Sequence, residues 1–186
     1  SMDSNGYDYD INGLTPVPNA MAIGSTWNKE SAFDVGSIIG SEMTNIGINL
    51  YIGHLLDVID DQMVELDGAT TLEAFGGNPF WVSRMASEFV SGVHYGSNGR
   101  IALVGESFPG LGASDGGKRS EISVVNKSFE DLLRFDLIPY QSVTKGNIGT
   151  DGVIDILMPA QARYSALQGS LSVDTRPLGL DAEALG

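Results

Sequence analysis

The sequence predicts an α/β domain built on parallel strands, and three observations lead to it. Apolar, β-branched runs begin near residues 49, 100 and 152. Stretches of helical periodicity separate them, which is the rhythm of repeated βα units. The middle run, Ile101, Ala102, Leu103 and Val104, meets Gly105 and opens into a glycine-rich stretch that lasts to Arg119. Such a run reads as a buried parallel strand that feeds a functional loop.

The elements follow in order. Residues 1 to 19 are polar and punctuated by Pro16 and Pro18, which reads as an arm. Residues 20 to 25 form a short apolar run that offers a further strand. From Asn28 onward, Ala32, Val35, Gly36, Ile39, Met43 and Ile46 recur at helical spacing, with Asn28 as the cap and Gly47 as the terminator. Residues 49 to 58 are apolar enough on both faces for an inner strand, which puts Asp57 at its C-terminal tip. A polar connection over 59 to 77 leads to Asn78-Pro79, a cap followed by proline at the first helical position. The helix that follows carries Val82, Met85, Ala86, Phe89 and Val93 on one face and stops near Gly96. After the glycine-rich loop, residues 128 to 138 predict another helix. It is opened by Ser128 and Asp131 in a capping-box relation, and Pro139 breaks or resets it. Residues 152 to 158 form the third strand, and periodicity fades from Ala160. The organisation expected is an arm over 1–19, one domain over 20–172 and a tail over 173–186.

Composition limits what this domain can do. With 186 residues, 42% of them hydrophobic and 18% charged, the chain can bury a real core. Its 24 acidic and 10 basic residues give a net charge of −14, which disfavours nucleic acid and anionic membrane surfaces as partners. Cysteine is absent, so a disulfide framework and a thiolate metal site are excluded. No apolar run approaches the length of a membrane helix, no signal peptide is visible, and the composition assigns no compartment beyond suiting a soluble or extracellular domain. Asn126-Lys127-Ser128 fits a glycosylation acceptor, although such triplets are common by chance.

The words FPGLG, GINLYIGHLLDV, EAFGGNP and FDLIPY together resemble those of glycoside hydrolase family 3, the family of β-N-acetylhexosaminidases and β-glucosidases. FPGLG, at residues 108 to 112, is similar to the family's loop of lysine, histidine, phenylalanine, proline, glycine, histidine and glycine. GINLYIGHLLDV resembles the segment "GINxxxAPVLDV", EAFGGNP the word "RSFGEDP", and FDLIPY the segment ending in "DLLPF". PNAMAIG resembles the segment before the family's second helix. Four separated matches in the right order, besides FPGLG, are far more specific than any one, and the resemblance runs from about Pro18 to Leu171. The resemblance implies a (β/α) TIM-barrel-like domain acting on carbohydrate. A full barrel takes about 250 residues, so the chain is expected to form part of one.

The chemistry of that family falls on altered residues. Its sugar-binding arginine falls on Glu73, and the lysine and histidine before FPG fall on Glu106 and Ser107. The aspartate and histidine that supply the proton fall on Gly117 and Arg119, and arginine cannot shuttle a proton at physiological pH. The family's nucleophilic aspartate lies on a later strand that the chain does not reach, whereas a retaining glycosidase needs nucleophile and acid about 5 Å apart. Asp57, the aspartate of the LDV word, alone matches a retained position, and the resemblance makes it the candidate sugar-binding residue.

Plainer readings stand beside these. Asp57 equally fits a cap or turn, and Asp115 a turn residue. Residues 112 to 118 have the spacing of a phosphate-binding loop, but Arg119 stands where the magnesium-binding hydroxyl would be. His54 and His94 have no acidic or thiol partner nearby in sequence, so no metal site and no cofactor is expected. Phe80 and Trp81 read first as helix packing and second as a sugar-stacking platform. The expectation is a family 3-like domain that has lost catalysis and serves as a structural, scaffold or weak carbohydrate-binding unit. A protein partner, a second copy or a larger assembly would then cover the incomplete barrel. The alternative is a fragment of an active glycoside hydrolase whose nucleophile lies outside the chain.

Overall fold

The computed structural model describes residues 2–3, 13–53, 55–60, 71–115, 122–145 and 152–185. Four strands form one all-parallel sheet in the order β1 (Met2–Asp3), β2 (Leu50–Gly53), β3 (Ala102–Phe108) and β5 (Ile156–Pro159). A two-stranded parallel ladder pairs β4 (Val124–Val125) with β6 (Arg163–Tyr164). The helices include α1 (Ala20–Gly24), α2 (Lys29–Asn45) and α3 (Pro79–Ser97). Parallel strands alternating with helices make this a partial (β/α) barrel, and among the described residues the sheet does not close.

The two long helices form where their caps and apolar periods predict. Asn28 Oδ1 accepts the Glu30 N–H at 3.0 Å, and Glu30 sits in the first turn, where a carboxylate favours the helix dipole. Asn78 Oδ1 accepts the Trp81 N–H at 3.0 Å with Pro79 at the first helical position, and Asn98 ends α3 in the left-handed conformation, φ 52°. Their contact is backbone on backbone. A Cβ at Gly36 would meet the Phe89 carbonyl and one at Gly40 the Val93 carbonyl, while Cβ atoms at Gly92 and Gly96 would meet the carbonyls of Phe33 and Ser37. Both i, i+4 pairs lie on the facing stripes, so each helix supplies the groove for the other.

This helix pair covers one face of the sheet. Register puts Tyr51 of β2 beside Leu103 of β3, and both pack into the core with Met85, Phe89 and Val93. The Tyr51 and Phe89 rings lie 5.7 Å apart. Burying a side chain such as Phe89 contributes about 2 kcal/mol or more. On the opposite face Ile52, Val104 and Ile156 are in register, and Ile156 is 45% exposed. In a closed barrel that face would be the interior.

The structure corrects several boundaries. Residues 20 to 25 are helical, because Asn19 Oδ1 accepts the Ala22 N–H at 2.8 Å and caps α1. The fourth strand is instead β1, inside the segment read as an arm, where pairing with β2 and not composition makes the strand. β2 stops at Gly53, so Asp57 lies beyond the strand tip. β3 runs past Gly105 to Phe108 and takes in Glu106 and Ser107. β5 starts at Ile156 and not near Gly152, because Ile154 N–H is drawn away to the Val143 carbonyl at 2.9 Å. The segment opened by Ser128, whose Oγ accepts the Asp131 N–H at 3.1 Å, continues through a π-helical turn, Leu132–Asp136, into the helix Leu137–Val143. Pro139 lies within that helix, so it resets the hydrogen bonding without ending the segment.

Candidate functional site

The word FPGLG forms the turn at the C-terminal end of β3. Between Gly105 and Phe108 the β3–β5 register gains a residue, and Ser107 takes a left-handed φ of 67°. In a regular strand neighbours point to opposite faces. The bulge lets Glu106 and Ser107 line one cleft together. That cleft, of about 290 Å³, lies where β3 and β5 end and is also bounded by Leu111, Ser123, Met158 and Gln161. Phe108–Pro109 is a cis peptide.

The turn is held from several sides. Asp57, 2% exposed, accepts the Leu111 N–H on Oδ1 at 2.8 Å. The Tyr164 hydroxyl donates to the Gly110 carbonyl at 2.9 Å, and the Tyr140 hydroxyl to the Glu106 carbonyl at 3.0 Å. Asp60 N–H reaches the Gly112 carbonyl at 2.9 Å, and a Cβ at Gly112 would collide with the Val58 carbonyl. Gly110 has φ +127°, and its open side faces Asp136. Only glycine meets both demands there.

Charge is concentrated behind this turn. The Asp136 carboxylate is fully buried and takes Lys127 Nζ at 2.9 and 3.1 Å, with Asp60 3.9 Å from the same ammonium and the Phe135 ring 5.2 Å away. Burial pushes the Asp136 carboxyl above the usual range, and the nearby Asp57 charge adds to this while Lys127 opposes it. Burial and then Asp57 push the phenols of Tyr140 and Tyr164 upward, so both remain protonated donors across the physiological range.

The structure therefore brings Glu106 and Ser107 together and sets Asp57 beneath the turn. It does not bring Glu73 to them. Glu73 lines a separate cavity of about 20 Å³, room for about one water, among Ile23, Ile39, Tyr51, Leu55 and Phe89. Gly117, Arg119 and His54 lie outside the described residues. Asp115 Oδ1 accepts the Val124 N–H at 2.9 Å, a turn-fixing role. His94 finds its partner far along the chain, with Nε2 2.9 Å from Asp155 Oδ2, and that carboxylate also accepts the Leu103 N–H at 2.8 Å. Among the described residues no group of three potential metal ligands assembles. Lys127, Asp136, Tyr140 and Tyr164 escaped the sequence reading. Asp136 and Tyr140 belong to FDLIPY, which marks the family, but no local spacing links them to a turn some 25 to 30 residues earlier.

The chain has relatives of known family and fold. The glycosyl hydrolase family 3 N-terminal domain matches residues 3–185. A β-hexosaminidase of Pseudomonas aeruginosa is 29% identical over 168 residues, covering 90% of this chain and 45% of that protein. The chain thus spans less than half the length of this relative. A family 3 β-N-acetylglucosaminidase from Paenibacillus sp. str. FPU-7 superposes with TM-score 0.76 at 26% identity, over 93% of this chain and 30% of its own. NagZ from Neisseria gonorrhoeae, solved with N-trifluoroacetyl-D-glucosamine, gives 0.72 at 25% identity, over 91% and 46%. By the match across nearly its full length, the chain belongs to the glycoside hydrolase family 3 N-terminal domain family.

Proposed function

We propose that this domain keeps the form of a carbohydrate-binding barrel end but has lost hydrolysis, and that it serves a larger protein or assembly as a structural or weak sugar-binding unit. The wall of the cleft carries this reading. Glu106 and Ser107 line it at the positions where the family's lysine and histidine fall, and a carboxylate and a hydroxyl cannot replace two basic donors. Ligands of α/β barrels gather at the C-terminal ends of the strands, which is where this cleft opens. Asp57 acts on a bound sugar by fixing the Leu111 amide and so the shape of the turn. The partly exposed Ile156 on edge strand β5 is the place where a further chain, a second copy or another subunit completes the barrel.

Aryl β-N-acetylglucosaminides and β-glucosides offered to the purified chain should give no turnover above a heat-inactivated sample. Turnover by the chain alone overturns the loss of catalysis. N-acetylglucosamine or glucose at millimolar concentration should shift the backbone amides of Ser107 and Gln161 in NMR spectra. Unmoved amides leave only the structural role. A second reading, a fragment of a working hydrolase, is favoured by the 45% coverage of the Pseudomonas relative. In that case adding the polypeptide that completes the barrel restores turnover.

A further inference from the structure

We propose a second carbohydrate-contacting surface, separate from the cleft, in which the exposed Trp27 indole, stacked on Trp81, takes a neutral, β-linked pyranose chain. Trp81 is the seated member. It packs on the core, and its Nε1–H donates to the Gly24 carbonyl at 3.2 Å. The Trp27 indole stacks on it at 5.2 Å with an interplanar angle of 30° and is 67% exposed. One face of Trp27 is thus covered and the other is turned to solvent.

The backbone holds this exposed ring at a conformational cost. Trp27 has φ 52°, a conformation that a bulky residue adopts at a cost and that glycine or asparagine would fill more easily. The turn is fixed by Trp27 N–H to the Gly24 carbonyl at 3.2 Å and by Asn28 N–H to Thr26 Oγ1 at 3.1 Å. A strained backbone therefore displays a large apolar ring that contributes little to the core.

The occupant follows from size and charge. One exposed indole falls far short of the roughly 800 Å² per partner that a stable protein interface covers. A net charge of −14 opposes polyanions. Lys29, two residues after Trp27, is paired to Glu88 at 2.7 Å, and the side-chain amides of Asn28 and Asn78, whose Oδ1 atoms cap the helices, offer their NH2 groups as donors. The C–H face of a pyranose suits an exposed indole, and its hydroxyls suit such a neutral rim. The choice of ligand class rests on the carbohydrate reading above; the location does not.

The chain has two tryptophans, so an isotope-labelled sample shows two indole N–H signals. Titration with triacetylchitotriose and with cellotriose should shift the Trp27 signal and saturate at millimolar sugar. Trp27→Ala should weaken binding about tenfold, and Trp27→Phe should retain most of it, since a ring of smaller area remains. Thermal melts of both variants should match the wild type. A Trp27 signal unmoved at about 10 mM of either sugar, or Trp27→Ala binding as tightly as wild type, overturns the proposal. Cleft amides that move while the indoles stay still remove this surface and leave the cleft. The reverse pattern removes the cleft and leaves this surface.

Discussion

Between α2 and α3 backbone meets backbone, with Gly36, Gly40, Gly92 and Gly96 each seated under a carbonyl of the opposite helix. In the turn after β3, backbone is held by side chains drawn from afar: Asp57 on Leu111, Tyr164 on Gly110 and Tyr140 on Glu106. The helix pair depends on the absence of atoms, and the ion pair that crosses it, Lys29 to Glu88, sits at its exposed margin, where it contributes little. The turn depends on polar groups whose burial must be compensated, so solution conditions reach it.

The largest effect should come from the charged side. Lys127→Met leaves the fully buried Asp136 carboxylate without its cation, and urea denaturation at neutral pH should show a loss of about 3 kcal/mol or more. Asp136→Asn in the same background should recover much of it. A loss below about 1 kcal/mol would mean that water already reaches Asp136, and the contrast between the regions would weaken.

Gly92→Ala comes next. Its Cβ would strike the Phe33 carbonyl, which belongs to helix backbone and cannot swing aside. Overpacking of this kind costs about 1–3 kcal/mol, and the loss should be the same at about pH 4 and about pH 7. A loss that changes with pH would show that the helix pair and the turn are coupled.

The smallest effect is a slope with pH. Asp136 has its carboxyl raised in the folded state, so the native chain holds that proton more tightly than the unfolded chain. Its contribution is full below the unfolded carboxyl range near 3.9 and is lost as pH rises through the folded value. The stability of wild type relative to Asp136→Asn should therefore fall from about pH 4 to about pH 7. Over the same interval the cost of Lys127→Met should grow. A flat difference in both would remove Asp136 as the titrating group.

The same contrast decides what could be read from the sequence. α2 and α3 were legible because Asn28, Asn78 and Pro79 act within one turn and the apolar period repeats locally. The short run at residues 20 to 25 misled because apolar content does not separate a strand from a helix at that length, and the capping Asn19 decides it. β1 carried no strand signal, since partner β2 imposes its conformation. Asp57 and Glu106 were identified as positions, but their surroundings were not. The bulge at Ser107 arises from β3–β5 register, and the Tyr164 contact crosses 54 residues. The reciprocal glycines were half legible: Gly36 fell on the inner face, but its close approach to Phe89 depends on a helix more than 50 residues away.

The Tyr164 contact also bears on the order of assembly. A chain made from its N-terminus can bring α2, α3 and β3 together while later segments are still being added, because all three lie before residue 109. The Gly110 carbonyl has to wait for residue 164. Long-range contacts of this kind form late, after loop closure has been met. On a ribosome the helix scaffold would stand for several seconds before the FPGLG turn acquired its last clamp, given synthesis at roughly 5–20 residues per second. The cleft accordingly takes its final shape only after the helix scaffold is in place.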